Sequence, residues 1–285
     1  LYARYAADDR APIQAMLTAL DWLRSSGAAP GVNLKFFFEG EEERGSGHLR
    51  EILEANRDLL EADGWLFCDG PVHQSRRPQV VFGARGSVGL ELTVYGARKE
   101  LHSGHYGNWA PNPAQMLVNL LATMRRDDGR VTIADFYDGV EPLGDAELSA
   151  IAELPDESGN VRRDLLLGRV LGDGQKQELL INQPVLNLRG IRSAGVGNQA
   201  RNVVPATATA SMDIRLVTGV TVKGMVARLR RHIQAQGYYV TGVEPDAATL
   251  LSHPKVARLV AARGYNAVRM PMDHPLGREV VRALE

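Results

Sequence analysis

Carboxylates crowd three places in this sequence: Asp8-Asp9, the run Glu39-Gly40-Glu41-Glu42-Glu43, and Asp69. Asp and Glu oxygens are ligands for hard and borderline divalent cations. A carboxylate that does not ligate can act as general base toward a metal-bound water. Like charges packed this closely repel, and a cation among them relieves that cost. The acidic run directly follows Phe36-Phe37-Phe38, which sets it at the edge of a buried segment and not on a free helix. The alternative is a solvated acidic surface, with Asp69 serving as a turn residue or a helix cap.

Two further groups have chemical potential. Glu100-Leu101-His102-Ser103-Gly104-His105-Tyr106-Gly107 sits between an alternating segment and the helix start at Pro113. Its serine and histidines could suggest nucleophilic catalysis through Ser103 and His105, but no Gly-x-Ser-x-Gly elbow accompanies them. A structural turn is the competing reading. The third group is Arg201-Asn202-Val203-Val204-Pro205 with Asp213-Ile214-Arg215. Arg215 falls within an alternating strand, where its guanidinium could pair bidentately with a carboxylate. An ordinary salt bridge with Asp213 is the plainer alternative.

These residues must be held by elements that the hydrophobic pattern outlines. A helix is expected from Pro12 through Leu23, closed by Gly27, and strands over 32–38 and 65–68, with a helix from about Gly47 between them. That order argues for a parallel sheet with covering helices. From Gly83 the pattern changes. Val88, Leu90, Leu92 and Val94 alternate as in a half-buried strand, and Pro113 begins a helix through Met124. The 140–180 region reads as a helical insertion with loops. Strands are expected from Val185 and over 207–216, then a helix from Val222 to Ile233 and a strand over 238–243. Helices are expected again at 253–263 and 274–284. The partition is an α/β domain over 1–83 and 251–285, with 84–250 inserted as an α+β domain of antiparallel strands layered on two helices.

The bulk composition narrows the function. The 285 residues carry 44% apolar and 24% charged side chains, the balance of a globular protein. A formal charge of −1 gives no general reason to expect nucleic acid or a membrane surface as partner. The single cysteine, Cys68, excludes an intrachain disulfide and a cysteine-rich zinc site. No apolar run approaches the roughly 20 residues that span a bilayer.

Taken together the segments resemble the zinc exopeptidase family of carnosinase-like dipeptidases, aminoacylase, acetylornithine deacetylase and succinyl-diaminopimelate desuccinylase. Glu39-Gly40-Glu41-Glu42-Glu43-Arg44-Gly45-Ser46 matches that family's Glu-Gly-x-Glu-Glu-x-Gly-Ser motif, and His102-Ser103-Gly104 its His-Ser-Gly. Asn202-Val203-Val204-Pro205 with Arg215 matches its Asn-Val-Ile-Pro and following arginine, and Asp69 falls where an acidic ligand belongs. The opening 1–10 segment looks like Gly-Arg-Gly-x-x-Asp-x-Lys, with Ala3, Tyr5 and Arg10 as departures.

The resemblance implies a metallopeptidase catalytic domain, here incomplete, carrying an inserted lid that also dimerises. It implies two zinc ions, with manganese or cobalt as substitutes. Asp8 bridges the ions, Glu43 and Asp69 bind one each, and Glu42 is the general base. The resemblance also allows a cis Asp8–Asp9 bond in such a site. His102 stabilises the oxyanion, reaching into a partner subunit, while Asn202 and Arg215 hold the substrate carboxylate or backbone. The implied reaction is attack of a metal-bridged hydroxide on the amide of a dipeptide or N-acyl amino acid, within a homodimer. The compartment stays open between cytoplasm and bacterial periplasm.

One departure matters most. The family pattern includes a His-x-Asp segment before the bridging aspartate and a histidine near its end, and His253 and His274 match neither position. The chain therefore looks like a central piece of a longer enzyme. Lacking imidazole ligands, it is expected to bind zinc weakly and to be inactive by itself, which leaves a dimerisation or binding module as the alternative function.

Overall fold

The computed structural model describes residues 10–70 and 73–284. They divide into two compact units, one ending at Arg76 and one beginning at Arg77.

The first unit contains α1 (Arg10–Ser25), a single 3-10 turn (Glu42–Arg44), α2 (Leu49–Ala55) and α3 (Arg57–Leu60). After α1 the Ala28 amide donates to Leu23 O and the Gly27 amide to Arg24 O, the paired bonds of a Schellman closure. The strands expected over 32–38 and 65–68 are not formed. Both stretches still have the side-chain alternation of extended backbone. Phe36 stacks on Phe38 at 6.1 Å and Trp65 on Phe67 at 6.2 Å, each pair two residues apart. Phe37 meets Trp65 edge-on at 6.3 Å, and Lys35 Nζ donates to Glu61 O at 2.6 Å. A ladder needs a neighbouring strand in register, and among the described residues neither stretch has one. Apolar alternation reports the capacity for burial and does not supply the partner.

The second unit opens with β1 (Gly83–Ala84), β2 (Gly86–Tyr95), β3 (Leu101–His102), α4 (Ser103–Tyr106) and α5 (Pro113–Ala122). The insertion follows as α6 (Asp145–Glu153), α7 (Ser158–Asp164) and α8 (Gln177–Ile181). Then come β4 (Val185–Arg192), β5 (Val203–Val204), β6 (Thr207–Leu216), α9 (Val222–Ala235), β7 (Tyr239–Thr241) and α10 (Ala247–Ser252). The unit closes with β8 (Val256–Ala261), β9 (Val268–Arg269) and α11 (Pro275–Leu284). The main sheet has the order β4-β6-β2-β8-β7, and only the β7–β8 pair is parallel.

Strand alternation builds the core. Val88, Leu90, Leu92 and Val94 of β2 share a face with Ala208, Ala210, Met212, Ile214 and Leu216 of β6, and all are buried. Leu117 and Leu120 of α5 and Met225, Leu229 and Ile233 of α9 belong to the same cluster at helical spacing. Asn112 starts α5 by accepting from the Ala114 and Gln115 amides at 3.0 and 3.5 Å, with Pro113 in the first turn.

The helix expected at 253–263 is instead β8, and it carries the sheet past residue 250 between β2 and β7. Val256, Leu259 and Val260 fit a helical spacing as well as a strand in so short a run. The open edge of β2 decides, pairing Tyr95 with Val256 and Leu90 with Ala261. Residues 251–284 accordingly group with the second unit, not with the first. Among the described residues no helix is long and apolar enough to cross a membrane.

The α5–α9 contact contains a titratable group. His232 Nε2 lies 2.8 Å from Thr123 Oγ1, and burial holds its imidazole below the ordinary value. The unfolded chain, with a histidine near about 6.5, therefore binds the proton first. This contribution to stability is present above the unfolded value and is lost as pH falls through the folded one. Melting temperature is thus expected to drop more steeply below about pH 6.5 in the native protein than in His232→Gln. Parallel pH profiles of the two proteins would refute this placement of the imidazole.

Candidate functional site

The acidic motif folds on itself. The Glu39 carboxylate accepts from the Glu41 amide at 2.8 Å and from Ser46 Oγ at 3.1 Å. The Arg44 and Ser46 amides both return to Glu41 O, and the Gly45 amide returns to Glu42 O. Gly45 at φ 87° and Ser46 at φ 50° make the left-handed turn that brings Ser46 back under Glu39. Glu41 is taken up by His48, whose Nδ1 lies 2.8 Å from its carboxylate; that bond holds Glu41 below and His48 above their ordinary values. What the turn displays is Glu42, exposed, and Glu43, half-buried. The spacing thus has a structural cause: Glu39, Gly45 and Ser46 form the frame, and the two central carboxylates are presented by it.

Asp69 is exposed. Asp8, expected to bridge the metals, lies outside the described residues, as does the Asp8–Asp9 bond. Among the described residues no group of three or more His, Cys, Asp or Glu side chains is gathered to hold a metal ion. A closed zinc site needs about four donors, of which Glu43 and Asp69 would supply two carboxylates.

In the second unit, β3 and β5 pair antiparallel, with His102 opposite Val203. The Ser103 amide donates to Asn202 O at 3.0 Å, so His102 and Asn202 come to one end of this ladder. Glu100 and Arg201 brace it with an ion pair of 2.7 Å. His102 caps α4, its Nδ1 accepting from the Gly104 amide at 3.1 Å. With Nδ1 as acceptor the neutral ring carries its proton on Nε2, which leaves an N–H donor on an exposed side chain. His105 lies against it at 4.6 Å between ring centroids.

Arg215 stands apart from this pair. It lies eight residues along β6 from Thr207, roughly 25 Å at about 3.3 Å per residue. Its Nε donates to Asp213 Oδ2 at 3.0 Å, and Asp213 also accepts from Asn187 Nδ2 at 3.5 Å. Asp213 is only 5% exposed, so the carboxylate is a fixed anchor while the rest of the Arg215 guanidinium faces outward. The salt bridge with Asp213 is real, and it leaves the outer nitrogens of Arg215 available. Arg85 lies close enough to this group to feel the charges of Arg215 and Asp213. An Arg-Gly pair before an alternating strand was its only signal in the sequence.

The model of the peptidase dimerisation domain, M20_dimer, matches residues 82–240, more than half of the chain. The chain belongs to the M20 peptidase family. Among M20 relatives, human Beta-Ala-His dipeptidase is 28% identical over 239 residues, covering 82% of this chain and 47% of that protein. Cys-Gly metallodipeptidase DUG1 of Candida albicans is 29% identical over 247 residues, covering 83% and 50%. The chain spans about half the length of these relatives. An M20 family metallo-carboxypeptidase from Sulfolobus solfataricus superposes with a TM-score of 0.77 at 24% identity, over 96% of this chain and 59% of that one. Human carnosine dipeptidase 1 gives 0.75 at 22%, over 98% and 57%. The M20 fold, mixed α/β with a mixed sheet, is therefore the fold of this chain.

Proposed function

We propose that the protein hydrolyses the amide bond of dipeptides or N-acyl amino acids in a metal-dependent reaction. The observation that carries the reading is the self-braced turn that presents Glu42 and Glu43. The relatives named as dipeptidases and metallodipeptidases support it. Asp8, Glu43 and Asp69 are the carboxylates that would hold the metal, zinc first and manganese or cobalt as substitutes. When bound, such an ion supplies Lewis acidity and a water of lowered pKa.

The chain's own residues have distinct tasks. Glu42, which the turn leaves exposed, takes a proton from the attacking water and passes it to the leaving amine. His102 donates from Nε2 to the oxygen that becomes negative in the transition state. Asn202 holds the substrate backbone beside it, and Arg215, held by Asp213, takes the substrate carboxylate. The separation of Arg215 from His102 along β6 supports two sites of action, His102 serving a partner subunit and Arg215 its own.

The test is release of histidine from β-alanyl-histidine and of glycine from cysteinyl-glycine by the whole protein. Hydrolysis is expected to vanish on chelation and return with zinc, manganese or cobalt. Hydrolysis that survives chelation, or is absent with every metal, overturns the reading.

Dimerisation is proposed through β4. It is an eight-residue edge strand paired, among the described residues, on one side only, by β6, whereas the opposite edge β7 has three residues. Leu188 and Ile191 on β4 are 48% and 52% exposed. A long apolar edge invites pairing with a second copy. Sedimentation is expected to show a dimer that becomes a monomer in the Leu188→Lys/Ile191→Lys double variant. A monomeric native protein, or a dimer indifferent to both changes, excludes this interface.

A further inference from the structure

Among the described residues two buried side-chain atoms lack a hydrogen-bond partner, Arg85 Nε and Arg258 Nε, and the Arg258 guanidinium already ion-pairs with Glu91 and Glu244. Arg85 Nη2 is used, donating to Gln183 O at 2.8 Å just before β4 begins. A buried N–H without an acceptor loses its bond to water without replacement, so one in a native site calls for a ligand or another explanation.

The sheet register shows what surrounds it. Ser87 of β2 is directly opposite Arg215 of β6. Arg85 directly precedes β2, two residues before Ser87, and lies close enough to Arg215 and Asp213 to feel both charges. Asp213 shares the face of Arg215, two residues away on β6, and is opposite Asn187 of β4. Burial and the neighbouring Arg215 charge lower the Arg85 value while Asp213 raises it, so Arg85 senses both groups. Two guanidiniums share one carboxylate, and that carboxylate is already bonded to Arg215 Nε and Asn187 Nδ2. The local balance is one positive charge in excess, which suits an anion.

We propose that Arg85 is a second carboxylate-binding residue, acting with Arg215 so that the two guanidiniums clasp the carboxylate of the substrate. The inference rests on the reading of Arg215 as the residue that holds that carboxylate. It assigns Arg85 a specificity role: the site selects a free C-terminus over a blocked one, because an amide brings no negative charge to offset the excess positive charge.

The probe is a reduced-bond analogue of β-alanyl-histidine, as free acid and as C-terminal amide, titrated into the whole protein by calorimetry. The native protein is expected to prefer the acid. Arg85→Gln is expected to weaken acid binding about tenfold and to leave amide binding unchanged, with Arg85→Lys recovering part of the loss. If the loss came instead from a loosened β4 entry at Gln183, acid and amide would weaken together, and that result overturns the proposal. A native protein indifferent to acid and amide removes the role of Arg215, and this one with it. If Arg215→Gln loses the preference while Arg85→Gln keeps it, Arg215 stands and Arg85 alone is excluded.

Discussion

Glu42→Gln is expected to lower kcat for dipeptide hydrolysis by about 10²–10⁴-fold, the usual worth of a positioned general base. The substitution keeps the side chain's size and removes only its basicity. The turn is framed by the Gly45 amide bond to the Glu42 backbone oxygen and by Glu39, which ties Glu41 to Ser46. Metal content and KM are therefore expected to change little, so the loss falls in kcat. Glu43→Gln is the contrast, since a ligand change lowers metal content first. Steady-state kinetics with metal analysis on both variants separates the roles. A Glu42→Gln enzyme of native kcat would sink the assignment of the base.

The second large effect is on folding. Gly219→Val is expected to destabilise the second unit by about 3 kcal/mol or more, which for a unit of this size lowers Tm by roughly 6–12 °C. Gly219 has φ 88°, a conformation costly to a residue with a side chain by about 1–2 kcal/mol. The added Cβ would also stand 2.0 Å from Gly139 O and 2.7 Å from Glu141 N. That backbone cannot retreat without breaking the Glu141 amide bond to Thr218 O at 3.0 Å. The neighbouring Val217 and Val220 are buried in the core cluster, so the clash is carried into it. Gly237 is an internal control: its φ is 86° with nothing within 4 Å of an added Cβ. Gly237→Ala is expected to cost only the backbone term, about 1 kcal/mol. Equal Tm losses at the two positions would show that the Gly139–Gly219 contact does not constrain the fold.

Much of the second unit was legible beforehand. The alternation of 88–94 and 207–216 and the helices begun by Pro113 and Val222 all lie where the periodicity placed them. Each is a long element with one buried face, where the apolar period and the structure are the same information. Short elements were not legible. The 256–261 segment has too few residues for its period to distinguish strand from helix, and its state follows from the free edge of β2. In the first unit the apolar runs at 32–38 and 65–68 showed which side chains lie together, while strand formation depends on partners outside the run.

The candidate site divides in the same way. Sequence by itself determined the chemical types: Glu42 and Glu43 in a turn motif, Asp69 and Asp8 as further carboxylates, and His102, Asn202 and Arg215 as polar candidates farther along the chain. It also determined the frame of the acidic turn, because Glu39, Gly45 and Ser46 act through bonds within eight residues. Tertiary structure decided what lies between distant segments. The β3–β5 ladder joins His102 to Asn202 across about a hundred residues, and β6 holds Arg215 away from both. The β2–β6 register sets Ser87 opposite Arg215, and Arg85, just before β2, feels the charges of Arg215 and Asp213. Such juxtapositions depend on which strands pair and in what register, and that choice is made by the shared core, not by any local run of residues.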